Sequence, residues 1–326
     1  MTALRAGVAG LGHLGSHHAR VWSRVAGIGS VAAFDPDAAA VERARAAIPG
    51  LEITASYEEM LEKSDVVSIA APTPAHADLA LRALRAGRHV LVEKPMAVAP
   101  EEAEAMLGAA RTARRALLVG QIERFNPAVM AALPHLANPR FIEAHRLAPP
   151  VPRGIDVDVV LDLMIHDLDL ALLATRSRIV EMHAVGVPVL TDKVDIANAR
   201  LVFASGCVAN ITASRISREK VRKIRFFDRA SYLSIDCMNR SVEAYTLAPT
   251  LPGAAPDDWM RRIRPLAITV GETDPLESEL THFLALRNDP ERSWEECATA
   301  LEALRAAEAI GRMVSRSQYD PASLPV

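Results

Sequence analysis

Three glycines near the N-terminus restrict the fold of this chain more than any other feature. They occur as Gly10-x-Gly12-x-x-Gly15, directly after an apolar run at 4–9 and directly before an apolar helical face. In such a pattern the first glycine permits a tight turn, the second lets the backbone approach a pyrophosphate, and the third lets the helix pack on the strand. The helix N-terminus then holds the phosphates. With a strand before it and a helix after it, the pattern predicts a dinucleotide-binding unit.

A second apolar run, 29–34, ends in Asp35, twenty residues after Gly15. A carboxylate at that position accepts hydrogen bonds from the ribose hydroxyls of an adenosine, and it repels a 2′-phosphate. Asp35 therefore favours NAD, with NADP the less favoured cofactor. The alternative is that Asp35 is simply the N-cap of a helix that starts at Pro36.

Helical and strand-like segments alternate from Asp35 to Val119, which predicts an α/β fold with a parallel, doubly wound sheet. The predicted helices are 41–47, one opened by a capping box at Ser56, 76–86 and 101–115, and the predicted strands are at 53, 65–71, 89–92 and 116–119. Such a sheet would bring the turn Pro72-Thr73-Pro74 to the same edge as Gly10. Thr73 and His76 would then line a nicotinamide pocket, although His76 is equally well explained as a solvent-exposed residue at a helix start.

The apolar run 89–92 ends in Glu93-Lys94-Pro95. Proline cannot donate to a sheet ladder, so the predicted strand ends there. Lys94 then lies at the carboxyl end of a strand, where open α/β sheets bind their ligands. Without the surrounding pattern, Lys94 would be read as an exposed lysine paired with Glu93.

The alternation of strands and helices ends after Gln121, and we place the domain boundary there. Residues 1–121 would bind the dinucleotide, and residues 122–326 would form an α+β domain. The later segments follow one another as strands with short turns, which predicts a large, mostly antiparallel sheet with one face free to be covered. These strands are predicted at 140–147, 179–190, 195–203, 207–214, 223–227, 230–236 and 241–247.

The segment 157–174 contains no glycine or proline and is apolar almost all round, which predicts a buried helix. Its polar residues Asp158, Asp162, His166 and Asp169 recur at helical spacing and would stack on one face. Burying such a stripe without partners costs several kcal/mol. The stripe should therefore face a wet cleft, a cation or a substrate; the alternative is a conventional amphipathic helix with the stripe in bulk solvent.

A run of basic residues follows the fourth predicted strand of this domain and consists of Arg215, Arg218, Lys220, Arg222, Lys223 and Arg225. The default interpretation is a solvated sheet edge whose charges discourage aggregation. For Arg215 alone, at a strand end, we predict contact with a phosphorylated substrate.

The overall composition excludes several classes of function. The formal net charge is −3 and the pI is near 6.4, so nucleic acid is not expected as a partner. The three cysteines, Cys207, Cys237 and Cys297, are far apart and suggest neither a zinc site nor a disulfide framework. No signal peptide and no apolar run of membrane-spanning length is recognisable. We therefore expect a cytoplasmic protein with no metal and no membrane partner.

These stretches together resemble the glucose–fructose oxidoreductase, inositol dehydrogenase and MocA family of sugar oxidoreductases. The resemblance covers the whole chain and rests on the glycine motif, on Pro72-Thr73-x-x-His76, on Glu93-Lys94-Pro95 and on Asp162-x-x-x-His166. It implies a Rossmann domain followed by a domain with a large sheet, whose outer face commonly forms a homodimer or homotetramer interface. It also implies an NAD-dependent dehydrogenase acting on a CH–OH group.

The same resemblance implies roles for individual residues. The catalytic residues would be Lys94, Asp162 and His166. The cofactor would contact Gly10, Gly12, His13, Leu14, Gly15, Asp35, Ala71, Pro72, Thr73, His76, Glu93 and Lys94. The substrate would contact Lys94, Arg124, Asn126, Arg146, Asp162, His166 and Arg215.

A narrower likeness concerns the substrate. The segments 124–129 and 161–167 resemble the branch of the family that oxidises UDP-N-acetylglucosamine at C3 for lipid A or envelope polysaccharide synthesis, although this chain has Gln121 where that branch has histidine. The expected substrate is therefore a nucleotide sugar. The alternatives are an inositol or simple aldose dehydrogenase and, in a different class, a dinucleotide-dependent sensor without turnover.

Overall fold

The computed structural model describes residues 3–150, 158–249 and 258–316. The chain divides into two compact units. The first consists of Met1–Phe125 with Thr273–Leu304, and the second of Asn126–Glu272 with Arg305–Val326. The division after Phe125 lies close to the predicted boundary after Gln121, but the return of a C-terminal segment to the first unit differs from the prediction.

The first unit begins with the expected alternation of strands and helices. The bounds are β1 Leu4–Ala9, α1 His13–Trp22, β2 Ile28–Phe34, α2 Ala38–Ala47, β3 Glu52–Ile53, α3 Tyr57–Glu62, β4 Val66–Ile69, α4 His76–Arg85, β5 His89–Glu93, α5 Pro100–Ala113 and β6 Leu117–Gly120. Among the described residues these six strands form one parallel sheet in the order β3-β2-β1-β4-β5-β6. The predicted doubly wound sheet is therefore confirmed.

The second unit contains α6 and a large sheet. Its elements are α6 Pro127–Ala132, β7 Phe141–Leu147, a π-helical turn Val160–Met164, α7 Ile165–Thr175, β8 Ile179–Val187, β9 Ile196–Phe203, β10 Val208–Ser214, β11 Val221–Phe227, β12 Ser231–Asp236, β13 Ser241–Leu247 and β14 Ile263–Pro265. The described strands are ordered β14-β13-β12-β11-β7-β10-β9-β8, and within them only β7 and β10 pair in parallel. The predicted, mostly antiparallel sheet is confirmed.

The two faces of this sheet differ because side chains alternate along each strand. On β7 the residues Ile142, Ala144 and Arg146 are buried, whereas the neighbours that point to the other face are only partly buried. The helix α7 packs on β7 and β10, and its residue Asp167 is bonded to Arg146. The helix-covered face is therefore the one that carries Arg146.

Two further helices follow, α8 Pro275–Leu286 and α9 Pro290–Arg316. Asp274 caps α8 by accepting hydrogen bonds from the amides of Leu276 and Glu277 at 2.9 and 3.2 Å. The apolar face of α8 joins the core of the first unit, where the rings of Phe283 and Trp22 lie 6.4 Å apart at 63°. Periodicity identifies such a helix but not the core that receives it, which is why the sequence placed this segment in the second domain. No described helix combines the length and the apolar character that crossing a bilayer requires.

The position of α8 predicts how the first unit responds to a substitution. Because Phe283 is fully buried against Trp22, Phe283→Ala should lower the free energy of unfolding of this unit by about 3–5 kcal/mol. Urea unfolding followed by tryptophan fluorescence measures this. Thr281→Ala, on the exposed side of the same helix, should change stability by less than about 0.5 kcal/mol. Equal effects of the two substitutions would contradict the packing of α8 in this core.

Candidate active site

The glycine loop has the geometry that a bound pyrophosphate needs. Gly10 has φ of +96°, and a Cβ there would lie 2.6 Å from the carbonyl oxygen of Ala70; a Cβ at Gly15 would overlap the carbonyl oxygen of Gly10. A Cβ at Gly12 would meet nothing within 4 Å, and no side chain caps α1 at this end. Gly10 and Gly15 therefore serve the packing of β1, α1 and the turn after β4, whereas Gly12 leaves open space at a helix N-terminus.

The first residues of α1 lie beside that space. His13 and Leu14 are both exposed, and Leu14 keeps 39% of its surface accessible although it is a large apolar side chain. Their place at the helix start agrees with the predicted contact with a dinucleotide. The residues present thus fit the pyrophosphate end of NAD.

Asp35 has a role that neither sequence interpretation included. Its carboxylate accepts hydrogen bonds from the amide of Leu11 at 2.5 Å and from the amide of Asp37 at 2.7 Å. The N-cap of α2 is Asp37, which accepts from Ala39 at 2.9 Å, so the alternative that Asp35 is the N-cap is wrong. The half-buried Asp35 instead holds the glycine loop at the end of β2.

His76 is buried rather than exposed, so its interpretation as a solvated helix residue is wrong. Its Nδ1 lies 2.9 Å from the carbonyl oxygen of Pro95, and its Nε2 lies 2.8 Å from that of Ala71. The imidazole therefore joins the turn after β4 to the loop after β5. In that turn Ala71 and Thr73 are partly buried and Pro72 is exposed, so their surface remains available to a cofactor.

Lys94 follows β5 directly, as predicted, and the peptide between Lys94 and Pro95 is cis. The carboxylate of Glu93 points into the first unit, where its Oε1 lies 2.8 Å from Nε2 of the buried His18. A Cβ at Gly120 would lie 2.9 Å from that carboxyl group, so glycine there leaves room for it. Glu93 and His76 hold the Lys94 loop from two sides.

A buried charge cluster near Arg124 was not predicted. Arg124 is 8% exposed and donates to the carbonyl oxygen of Glu296 at 3.3 Å. Glu279 is fully buried, and neither of its carboxylate oxygens has a hydrogen-bond partner among the described residues. Burial, and then the nearby Glu93 carboxylate, raise the pKa of Glu279 well above its ordinary value, while Arg124 opposes this shift. The sequence feature that could have indicated this cluster is the position of Glu279 on the apolar i, i+3, i+4, i+7 face of α8.

In the second unit the predicted stripe of polar residues is broken by the π-helical turn. Asp158 caps this segment by accepting from the amides of Val160 and Leu161, both at 2.9 Å. Asp162 lies within the π turn and His166 lies one residue into α7, and both are partly buried. Asp169 is buried. A straight α-helix with four stacked residues is therefore incorrect, and π turns frequently occur at functional sites. Val157, at the predicted helix start, lies outside the described residues.

Arg146 and Asn126, both predicted to contact substrate, each have structural partners within the second unit. The guanidinium of Arg146 bonds both oxygens of Asp167, at 2.8 and 2.9 Å, and the pair is buried. The side chain of Asn126 caps α6 through the amide of Ala128 at 3.1 Å and donates to the carbonyl oxygen of Cys237 at 2.8 Å. We assign Arg146 to holding α7 on the sheet and Asn126 to holding α6.

Asp162 and Arg215 line one cavity of about 440 Å³ in the second unit. Arg215 is buried and donates to Asp195 at 2.8 Å and to the hydroxyl of Thr191 at 3.1 Å. The cavity is lined by Ala148, Pro149, Pro150, Asp162, Leu163, Leu190, Thr191, Asp195, Arg215, Ile216, Lys220 and Arg222. It therefore combines a proposed catalytic carboxylate with several cationic side chains, of which the sequence had singled out only Arg215.

The contacts of Asp35 generate a prediction about cofactor choice. Asp35→Ala removes both the predicted ribose acceptor and the bond to Leu11, so NAD affinity should fall by about tenfold or more. Asp35→Asn keeps an acceptor near the Leu11 amide but removes the charge that repels a 2′-phosphate. Titration with NAD and NADP should show that both variants narrow the preference for NAD. If the ratio of the Kd values of NADP and NAD were the same in Asp35→Asn as in the unmodified protein, the charge argument would be contradicted.

Two family-level sequence models match this chain. The oxidoreductase family with an NAD-binding Rossmann fold matches residues 4–121, and the GFO/IDH/MocA C-terminal domain matches residues 144–229. Together they cover more than half of the chain. The first match contains the glycine loop, Asp35 and Lys94, and the second contains Asp162, His166 and the cavity's cationic residues.

Similar proteins agree with these matches. UDP-N-acetylglucosamine 3-dehydrogenase of Acidithiobacillus ferrooxidans is 40% identical over 288 residues, 87% of this chain and 88% of that protein. A solved structure of that enzyme has a TM-score of 0.87 at 36% identity and covers 97% of this chain and 99% of that chain. Inositol 2-dehydrogenase of Rhizobium meliloti is 32% identical over 229 residues, 65% of this chain and 69% of that protein. The chain therefore belongs to the GFO/IDH/MocA family and is an NAD-binding oxidoreductase.

Proposed function

We propose that this oxidoreductase transfers a hydride from C3 of UDP-N-acetylglucosamine, or of a closely related nucleotide sugar, to NAD. The product would be a 3-keto nucleotide sugar for lipid A or envelope polysaccharide synthesis. The relative that is 40% identical over most of both chains carries the name of this activity. The observation on which the proposal mainly rests is the cavity of about 440 Å³ that Asp162 and Arg215 line together, since small-molecule sites typically have such volumes.

The charges of this cavity favour a nucleotide sugar over a free sugar. A free sugar or polyol offers only hydroxyl groups, whereas the diphosphate of a nucleotide sugar needs arginine, lysine or helix N-termini. Arg215, Lys220 and Arg222 all line the cavity. Asp162 and Asp195 line it too, so the lining has three cations and two carboxylates. A polyol would gain little from so charged a lining, so an inositol dehydrogenase is the less favoured activity.

The proposed chemistry divides among three side chains. His166 takes the hydroxyl proton of the substrate as a general base, a role that suits histidine near neutral pH. Lys94 donates a hydrogen bond to the same oxygen and stabilises the negative charge that develops on it. Asp162, in the π turn before His166, orients the histidine and the substrate. When bound, NAD supplies the hydride acceptor, C4 of its nicotinamide.

The structure supports these roles through the elements that hold the residues. The Lys94 loop is held by His76 and by the Glu93–His18 contact. The start of α7 is held on the sheet by the buried Arg146–Asp167 pair. Positioned groups of this kind are what acid–base catalysis requires, because small displacements from the productive geometry lower the rate strongly.

We also propose that the outer face of the second sheet mediates homodimer or homotetramer formation, as the family resemblance implies. This face carries neighbouring aromatic rings, with centroid distances of 5.9 Å for Phe141–Phe227, 5.1 Å for Phe227–Tyr232 and 6.2 Å for Tyr232–Tyr245. Aromatic side chains are enriched in the centres of protein interfaces. The molar mass in solution, measured by light scattering, tests this assignment.

The substrate proposal predicts a clear order among candidate sugars. With NAD, UDP-N-acetylglucosamine should be oxidised faster at low concentration than N-acetylglucosamine, glucose or myo-inositol, because only the first carries a diphosphate. Initial rates of NADH formation measure this, and UDP should compete with the substrate. Efficient oxidation of myo-inositol that UDP does not inhibit would overturn the proposal in favour of an inositol dehydrogenase.

The catalytic roles predict a loss of turnover without a loss of cofactor binding. Lys94→Ala and His166→Ala should each lower kcat by about 10²–10⁴-fold, the usual contribution of a general acid or base. The Kd of NAD, from fluorescence titration, should stay within a few fold. His183→Ala, a change of the same type at an exposed position, should leave kcat unchanged. Near-normal turnover in either active-site variant would remove that residue from the mechanism.

A further inference from the structure

Helix α8 carries one carboxyl group into the core of the first unit. Its residues Leu276, Leu280, Phe283 and Leu286 belong to the hydrophobic cluster of that unit, and Glu279 lies on the same face with no exposed surface. Neither carboxylate oxygen of Glu279 has a hydrogen-bond partner within the described part of the chain. Because buried polar groups are nearly always hydrogen-bonded, such a group requires an explanation.

Glu279 approaches the end of β5, the strand that leads to Lys94. Leu91 of β5 belongs to the cluster that receives α8. Side chains alternate along a strand, so Glu93, two residues later, points to the same face of the sheet. Helix α8 also packs on α1 and on the 3₁₀ turn Ile122–Phe125. The buried titratable or charged side chains of these three elements are His18 of α1, Glu93 of β5, and Glu123 and Arg124 of the turn.

Glu93 connects this region to Lys94 through two contacts. Its Oε1 lies 2.8 Å from Nε2 of His18, and its Oε2 accepts a hydrogen bond from the backbone amide of Lys94 at 3.3 Å. The imidazole of His18 is fully buried, and its Nδ1 has no hydrogen-bond partner among the residues that the structure describes. The position of the Lys94 amide therefore depends on where the Glu93 carboxylate is held.

Two carboxyl groups that are buried near each other do not both ionise readily. The contacts of Glu93 with His18 and with the Lys94 amide favour its charged form. Burial and the Glu93 charge raise the pKa of Glu279 well above its ordinary value, although Arg124 opposes this shift. A neutral carboxylic acid has one O–H to donate, whereas an ionised one has none. Glu279 is therefore the member of the pair that keeps a proton and can donate it in a hydrogen bond.

We propose that Glu279 is a positioning residue of the active site, which donates a hydrogen bond to the Glu93 carboxylate and so keeps Glu93 in place beside Lys94. The inference rests on the proposed catalytic role of Lys94. The effect of Glu279 reaches the reaction through Glu93 and the Lys94 amide, because a small displacement of Lys94 from the productive geometry lowers the rate. The return of α8 to the first unit thus supplies a hydrogen-bond donor at the end of β5.

Two substitutions of Glu279 separate hydrogen bonding from packing. Glu279→Gln keeps the shape and an N–H donor but cannot ionise, whereas Glu279→Met has a similar length and no donor. With NAD and UDP-N-acetylglucosamine, Glu279→Met should lower kcat by about tenfold, the usual effect of one lost hydrogen bond. Its KM, its Kd for NAD and its Tm should change little. Glu279→Gln should keep kcat within about twofold, as should the control Glu277→Met on the same helix, where the side chain is 46% exposed.

The protonation state of Glu279 is tested without substrate. In the unfolded chain a glutamate ionises above about pH 4.3, while the raised pKa keeps Glu279 protonated in the folded protein at higher pH. The free energy of unfolding therefore falls as the pH rises between these two pKa values. Because Glu279→Gln cannot titrate, its Tm relative to that of the unmodified protein should increase from about pH 5 to about pH 8. A Tm difference that does not increase would show that Glu279 is ionised in the folded protein and would overturn the inference.

Hydrogen exchange reports on the Lys94 loop directly. With saturating NAD, the amides of residues 93–98 should exchange about tenfold faster in Glu279→Met than in Glu279→Gln, because the loop opens more readily. Equal exchange, or equal kcat, in the two variants would overturn the positioning role. The pH series needs only Glu279→Gln, so it decides the inference even if Glu279→Met does not fold.

The outcomes also separate this inference from the proposed function. If the unmodified protein oxidises no nucleotide sugar, the substrate proposal fails, and the exchange rates and the pH series still decide whether Glu279 holds the loop. If Lys94→Ala keeps near-normal turnover, the role of Lys94 fails, and with it the route from Glu279 to the reaction. If Lys94→Ala loses turnover while Glu279→Met does not, the proposed function stands and the positioning role fails.

Discussion

The lack of a side chain at Gly10 and at Gly15 determines how the first unit is arranged. At Gly10 and Gly15 a Cβ would collide with backbone carbonyl groups of the turn after β4 and of Gly10 itself. Glycine therefore lets α1 start directly against the strand ends, and a Cβ at Gly12 would meet nothing within 4 Å. Asp35 holds the same loop through the amide of Leu11. The glycine loop thus depends on close backbone packing and on the carboxylate of Asp35.

In the second unit, a buried ion pair has the corresponding role. Arg146 and Asp167 join the central strand β7 to α7, and breaking such a pair by removing one partner typically costs about 3–5 kcal/mol. The pair holds the helix whose preceding π turn carries Asp162. A second pair, Arg215–Asp195, holds the loop on another side of the cavity. These two ion pairs therefore fix the helix and the loop that adjoin the cavity, whose lining also includes Lys220 and Arg222.

Much of the fold followed from local patterns, and some did not. The succession of strands and helices in the first unit, the glycine loop and the position of Lys94 after β5 were predicted, because each depends on residues that are close in sequence. The assignment of α8 to the first unit was not predicted, because an amphipathic helix does not specify which core receives it. The partners of His76, Asn126 and Arg146 were also missed, since they are contacts with residues distant in sequence or with backbone carbonyl groups.

By itself, the sequence predicted the Rossmann unit, because turn chemistry and hydrophobic periodicity are local properties, and the resemblance of its motifs indicated the family and NAD as the cofactor. Only the tertiary structure decided which charged residues are structural and which line the cavity. Arg146, Arg215 and Arg222 are equivalent in a sequence. They differ in the structure because Arg146 is bonded to Asp167 on the helix-covered face of the sheet, whereas Arg215, bonded to Asp195, and Arg222 are part of the cavity lining.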